Sequence, residues 1–240
     1  MTEPLLVALD VDTLDDARRL TTALRGIVGG FKIGSRLFTS HGPAFVQELV
    51  DAGDRVFLDL KFHDIPHTVA GAVGAAARLG VWMVNVHAGG GVPMMRAARE
   101  AADNEAAAVL KAPPLLIAVT VLTSFDAPTL AATGIASPIP DQVGRLAQLA
   151  QEAGLDGVVA SPQEIGLIRQ TCDPRFAIVT PGIRGAGDAM GDQHRTLSAG
   201  GALAAGANYL VVGRPIIAAP DPRAAAQRFA DECRAARPTA

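Results

Sequence analysis

"VFLDLKFHDIPHTVAGAVGAAARLGVWMVNVHA" (residues 56–88) holds, in order, a short apolar run, a small-residue segment and a second apolar run. The first run, VFLDL (56–60), and the last, MVNVHA (83–88), have the length and the β-branched and aromatic content of strands. Between them IPHTVAGAVGAAARLG (65–80) is Ala-rich, with Pro66 where a first helical turn would begin and Gly80 where a helix would end. Strand, helix and strand within roughly thirty residues make a βαβ unit, whose two strands run parallel. Strands that are apolar nearly throughout belong to a parallel sheet covered on both faces.

The alternation continues in both directions. LLVAL (5–9), FKIG (31–34), LLIAVTVL (115–122), GVVAS (157–161), FAIVTPG (176–182) and YLVVGR (209–214) bring the strand candidates to eight. DTLDDARRLTTALRG (12–26) reads as a helix with acidic residues at its N-cap and Gly26 at its end, and DPRAAAQRFADECRAA (221–236) as a closing helix. Eight such units predict an α/β fold of the closed (β/α)8 TIM-barrel type in preference to an open doubly wound sheet. No linker, low-complexity tract or charge block divides the chain, so residues 1–240 are expected to form one barrel domain.

Bulk properties narrow the function classes. A 49% hydrophobic and 19% charged composition suits a compact enzyme and excludes a disordered chain. The net charge of −3, with no dense basic run, argues against a nucleic-acid surface. No apolar run approaches the roughly 20 residues that span a bilayer, and MTEPLLVALD is not a signal peptide. Cys172 and Cys233 form no close-spaced pair, which predicts reduced thiols and a cytoplasmic location.

In barrels of parallel strands the chemistry gathers at the C-terminal strand ends. Polar residues recur there: Asp10 after the first candidate strand, Lys32 within the second, Asp59 and Lys61 ending the third, Asn85 and His87 in the fourth. Thr120 and Thr123 end the fifth, Ser161 the sixth, Arg184 follows the seventh, and Gly213 with Arg214 ends the eighth. Asp59 and Lys61, two apart, should point to one side of a strand, and Lys32 is flanked by Phe31 and Ile33 as expected of an inward charge. Burying an unpaired charge costs several kcal/mol. Lys32, Asp59, Lys61 and Asp64 are therefore expected to pair as an alternating network in which carboxylates keep both lysines protonated. TPGIRGAGDAMGDQ (180–193), Gly-rich with Arg184 and Gln193 near its ends, and VVGRP (211–215) occupy the positions where this fold binds phosphate. His63 and His67 have the spacing of a metal pair, but Pro66 disturbs that geometry and no third ligand is evident. They read as surface or interface histidines, His87 as a partner of a site residue or a satisfied core histidine, and Trp82 as packing.

DLKFHDIPHT (59–68) resembles the D-x-K-x-x-D signature of the bacterial-type orotidine 5′-monophosphate decarboxylase family. VALD (7–10), FKIG (31–34), MVNVHAGGG (83–91), VTVLTS (119–124), VTPGIR (179–184) with GDQ (191–193), and VVGRPI (211–216) extend the likeness over essentially the whole chain. The resemblance implies a cofactor-independent, metal-free lyase that converts orotidine 5′-monophosphate to uridine 5′-monophosphate in de novo pyrimidine biosynthesis. Lys32, Asp59, Lys61 and Asp64 would form its catalytic network, with Lys61 stabilising and protonating the C6 carbanion. It further implies a homodimer with shared active sites, in which Asp64, Ile65 and Thr68 serve the neighbouring subunit. Asp10 and Lys32 would hold ribose hydroxyls, Thr123 and Pro181 would lie near the base, and Arg184, Gln193, Gly213 and Arg214 would hold the phosphate. Gly185 is a local departure in a loop that varies among relatives. A sister group, the 3-keto-gulonate 6-phosphate decarboxylases and hexulose phosphate synthases, shares the D-x-K-x-x-D strand but uses Mg2+ and has a glutamate at the position of Lys32, so Lys32 favours the nucleotide enzyme.

Overall fold

A computed structural model describes residues 3–185 and 197–236. Eight strands, β1 (Leu5–Ala8), β2 (Gly30–Gly34), β3 (Val56–Phe62), β4 (Met83–His87), β5 (Leu115–Val119), β6 (Gly157–Val159), β7 (Ala177–Thr180) and β8 (Tyr209–Val212), close in sequence order into a barrel. Every pair, including β8 with β1, is parallel. The helices of the described residues are α1 (Leu14–Leu24), α2 (Ser35–His41), α3 (Ala44–Asp51), α4 (Pro66–Leu79), α5 (Gly91–Ala108), α6 (Ala127–Ala132), α7 (Ile139–Glu152), α8 (Ile165–Thr171), α9 (Ala199–Ala205), α10 (Arg214–Ile217) and α11 (Pro222–Ala235). None of them is long and apolar enough to cross a membrane.

The period-2 alternation of the strands divides the core in two. Leu6, Phe57, Met83, Ile117, Ala177 and Val179 fill the barrel interior. Their strand neighbours, among them Val7, Leu58, Val84, Leu116 and Ile178, face outward into a larger shell against the helices. At the end of the barrel away from the C-terminal strand ends, Trp82 meets Tyr209 edge-on at 5.0 Å, and the Arg55 guanidinium lies 5.2 Å from the Trp82 ring centre. Packing is the role the sequence indicated for Trp82.

Helix ends follow local chemistry. Pro66 stands in the first turn of α4, and Gly80 closes that helix at φ 82°, the left-handed conformation that favours glycine. At α1 the capping side chain is Thr13, which accepts the Asp16 N–H, while Asp15 and Asp16 occupy the first turn. The sequence expectation of an acidic cap is corrected by one hydroxyl. Both cysteines are buried.

All eight expected strands are present, but their ends differ from the apolar runs. β5, β6, β7 and β8 stop before residues 122, 161, 182 and 214, because the chain leaves the ladder at the rim while remaining apolar. β3 instead runs on to Phe62, and its pairing with β4 is irregular: four steps from Leu58 to Phe62 face two steps from Val84 to Val86. The two surplus residues form a bulge, and because their number is even Phe62 resumes the outward position that unbroken pairing would assign to Leu60. Leu60 and Phe62 both pack on the outer shell.

Leu116 is 0% exposed in the outer shell, near the start of β5 and away from its rim end. Leu116→Ala is expected to destabilise the fold by about 2–5 kcal/mol, read as a lower urea midpoint at unchanged m-value. An unchanged midpoint would contradict the packing described.

Candidate active site

At the C-terminal ends of β1, β2 and β3 a chain of alternating charges lies below the rim. The Lys32 ammonium donates to Asp10 Oδ1 at 3.0 Å and faces Asp59 Oδ2 at 3.4 Å. The Lys61 ammonium donates to the other oxygen, Asp59 Oδ1, at 2.7 Å. Asp59 is thus a carboxylate between two ammonium groups, its side chain 12% exposed against 9% for Lys32 and 38% for Lys61. Burial pulls Lys32 toward the neutral amine, but the charges of Asp59 and Asp10 and their hydrogen bonds outweigh it, so its pKa is raised above 10.5. This pairing supports the folded state fully below the unfolded lysine's pKa, and the contribution is lost as pH rises through the folded value.

Gly34 makes room for the array. It pairs with Asp59 across β2 and β3, and a Cβ there would stand 2.9 Å from Lys32 Nζ and 3.3 Å from Asp10 Oδ1. Lys61 sits in the β3 bulge at φ 53°, a left-handed conformation that costs an L-residue about 1–2 kcal/mol. The expectation that pleating alone aligns Asp59 with Lys61 is therefore corrected: the two meet through the bulge. Asn85 of β4, 0% exposed, accepts the Lys61 N–H on Oδ1 at 2.8 Å and donates from Nδ2 to Asp59 Oδ1 at 2.7 Å.

These charges line one side of a cavity of about 390 Å³. Phe57, Val119, Val159, Val179 and Val211 make an apolar floor, and Thr123, Pro181, Arg184, Gly213 and Arg214 line it from the ends of β5, β7 and β8. Strands β7 and β8 lie across the ring from β3, so the arginines and the lysine array face one space from different sides. An apolar floor with cations at two edges suits a flat ring carrying anionic groups at both ends.

Asp10, Lys32, Asp59, Lys61, Thr123, Pro181, Arg184, Gly213 and Arg214 are thus brought to one cavity. Asp64, Ile65 and Thr68 are not among its lining residues. They belong to an exposed run, residues 63–68, and Asp64 Oδ1 accepts the N–H of Ile65 at 2.6 Å. Gln193 lies outside the described residues. Ser161 is a cap, its hydroxyl accepting the Gln163 N–H at 3.3 Å, and Thr120 donates to the Val159 carbonyl at 2.9 Å. His63 and His67 are exposed. The His63 and His87 rings lie 5.4 Å apart, and burial first, then the positive charge shared with His63 and Lys61, lowers the His87 pKa. Among the described residues no group of three or more His, Cys, Asp or Glu is placed to hold a metal ion.

Two contributors were given no site role from the sequence. Arg36, at the start of α2 and paired with Asp12, also lines the cavity. Asn85 was visible as a polar residue in an apolar strand, but its contacts depend on β3 bulging toward it. That bulge left no trace in the sequence.

The fold and site define a (β/α)8 barrel with a charged cavity at the C-terminal strand ends. A family model described as orotidine 5′-phosphate decarboxylase / HUMPS family matches residues 3–229. An orotidine 5′-phosphate decarboxylase of Moorella thermoacetica is 54% identical over 231 residues, 96% of this chain and 92% of that protein. One of Syntrophotalea carbinolica is 53% identical over 97% of this chain and 95% of that protein. The crystal structure of orotidine 5′-phosphate decarboxylase from Lactobacillus acidophilus superposes with a TM-score of 0.86 at 34% identity, covering 96% of this chain and 99% of that one. The chain belongs to the orotidine 5′-phosphate decarboxylase / HUMPS family.

Gly34→Ala is expected to push the Lys32 ammonium out of the space between Asp10 and Asp59, because both carboxylates hold it where the new methyl must go. A crystal structure of the variant checks this; Lys32 unmoved, with both contacts kept, would show that the glycine is incidental.

Proposed function

We propose that the protein is a cytoplasmic, homodimeric enzyme that decarboxylates orotidine 5′-monophosphate to uridine 5′-monophosphate, a step of pyrimidine biosynthesis, without metal or cofactor. The observation that carries this reading is the Asp10–Lys32–Asp59–Lys61 array facing a cavity that Arg184 and Arg214 also line. The names of the similar proteins agree with it.

Breaking the C6–carboxyl bond leaves its electron pair in an orbital in the plane of the pyrimidine, where the ring π-system cannot accept it. Stabilisation must then come from positive charge fixed in that plane, followed by a proton. The Lys61 ammonium supplies both: it faces the developing carbanion as CO2 departs and gives C6 a proton, after which solvent reprotonates the amine. Because Asp59 and the β3 bulge hold Lys61 before the reaction begins, little reorganisation remains to be done in the transition state. Asp59, next to the position of the substrate carboxylate, disfavours the ground state, a smaller contribution than the preorganised ammonium. Asp10 and Lys32 are suited to ribose hydroxyls, Thr123 and Pro181 to the base, and Arg184, Gly213 and Arg214, together with Gln193, to the phosphate. Binding energy from that remote phosphate can be used for orientation at C6.

The exposed run at residues 63–68 supports the shared-site reading. Ile65 is 66% exposed, an apolar side chain without cover beside Asp64, immediately after the catalytic strand. We assign Asp64, Ile65 and Thr68 to the site of a second subunit, where Asp64 would complete the network with the partner's lysines. Two cysteines with no close-spaced pairing in the sequence fit a reducing compartment.

Lys61→Ala is expected to fold normally, with an unchanged circular dichroism spectrum, and to lose turnover in the ultraviolet absorbance assay with orotidine 5′-monophosphate; near-normal activity would refute the assignment. The wild-type rate should be unaffected by EDTA, whereas a rate abolished by EDTA and restored by Mg2+ would favour the sugar-phosphate branch of the family.

Mixing inactive Lys61→Ala with inactive Asp64→Ala, after unfolding and refolding together, should recover about a quarter of wild-type activity, because half the dimers are mixed and each has one intact site. No recovery would place Asp64 in its own subunit's chemistry.

A further inference from the structure

Asn85 is fully buried in the middle of β4, paired in register with Ile117 of β5. Its amide contacts Asp59 and Lys61, the last two members of the charge array, in different ways. Oδ1 accepts the backbone N–H of Lys61, and Nδ2 donates to Asp59 Oδ1, the same oxygen that receives the Lys61 ammonium at 2.7 Å. These bonds fall where the β3–β4 ladder lapses, between the Leu58–Val84 and Phe62–Val86 pairs. A backbone N–H left there without an acceptor would cost about 1–3 kcal/mol. The amide therefore stands in for the absent ladder partner.

We infer that Asn85 is a positioning residue for the decarboxylation: its amide holds Lys61 in the left-handed conformation and fixes the rotamer of Asp59, and so determines where the Lys61 ammonium is delivered. The inference rests on the reading that Lys61 and Asp59 carry the chemistry. Only an amide meets both demands. An apolar side chain of similar volume leaves the Lys61 N–H and one Asp59 lone pair unmet. A carboxylate accepts from Lys61 but sets a second anion against Asp59. An amide turned through 180° would oppose oxygen to oxygen at Asp59, so the hydrogen-bond network itself selects the orientation. The left-handed residue needs such support, since that conformation persists only where its surroundings over-determine it.

Two variants test this beside the wild type. Asn85→Leu keeps the barrel filled while removing both bonds. Its kcat for orotidine 5′-monophosphate is expected to fall by on the order of a hundredfold, the size of effect that a misplacement of roughly 1 Å produces. KM should change by less than about threefold, because the proposed phosphate and ribose contacts come from other strands. In its crystal structure Lys61 should leave the left-handed region and its ammonium should move from Asp59. Asn85→Asp should lose kcat at neutral pH and regain it as pH falls, because a proton shared between the two adjacent carboxylates restores the donor. The charged groups nearest that pair are Lys61 and Lys32, with Asp10 beyond Lys32 and His87 and His63 further along the rim. Wild-type kcat in Asn85→Leu would overturn the inference, as would an unmoved Lys61 together with equal losses in kcat and binding and no recovery of Asn85→Asp at low pH. A wild-type protein inert on orotidine 5′-monophosphate would sink the proposed function instead. In that case the position of Lys61 in the Asn85→Leu crystal structure still decides whether Asn85 holds it.

Discussion

A single carboxylate held between two ammonium groups below the rim of a barrel governs how the rest of this site is built. Asp59 receives Lys61 on one oxygen and faces Lys32 on the other, while Lys32 is itself shared with Asp10. Removing one partner from a buried pair typically costs about 3–5 kcal/mol, because the remaining charge has no water to turn to. Lys32 and Asp59, the buried pair, depend on each other in this way, while Lys61 reaches the cavity, and neighbouring residues make room for the array. Gly34 withholds a side chain where Lys32 must pass, and Asn85 supplies one acceptor and one donor where the backbone ladder fails. An array preorganised in this way already has positive charge in place before any carbanion forms, the condition that the proposed chemistry sets.

The barrel makes this possible by separating two jobs along its axis. Lower down, inward-facing Leu6, Phe57, Met83, Ile117 and Val179 pack as an ordinary apolar plug. Charged and amide side chains enter the interior one layer higher, where Lys32, Asp59 and Asn85 replace hydrocarbons on β2, β3 and β4. The plug seals the floor and lowers the local dielectric, which strengthens every charge interaction above it. Across the ring, the ends of β7 and β8 bring Arg184 and Arg214 to the same cavity. Catalysis of the proposed kind asks for this separation, with remote anion binding at one edge and fixed charge at the other.

The bulge in β3 links fold to site. Its two surplus residues leave the inward–outward alternation in phase, so Leu60 and Phe62 still anchor on the outer shell while Lys61 is turned in. Immediately beyond, residues 63–68 remain exposed, with Ile65 uncovered and Asp64 turned to its own backbone. A strand that packs, presents charge and then offers an apolar surface within ten residues links barrel stability to the proposed partnership between subunits.

Much of this was legible in the amino-acid order alone. Eight apolar runs separated by helical segments specify parallel strands covered on both faces, because only such strands can be apolar on both sides. Polar residues at their ends then point to one rim, and Lys32 between Phe31 and Ile33 declares itself an inward charge. The D-x-K-x-x-D stretch, with the motifs after strands seven and eight, carried the family resemblance. What the tertiary structure alone decided is which rim residues touch. The sequence suggested that Asp59 and Lys61 align through a regular pleat, but they meet through a left-handed bulge, and pairing between β3 and β4 creates that bulge. Asn85 looked like one polar residue among several until that pairing placed its amide between them. Local pattern determines which side of a strand a residue faces, since that depends on neighbours one and two positions away. Which side chains meet across strands depends on register and closure, and those are set by the whole barrel at once.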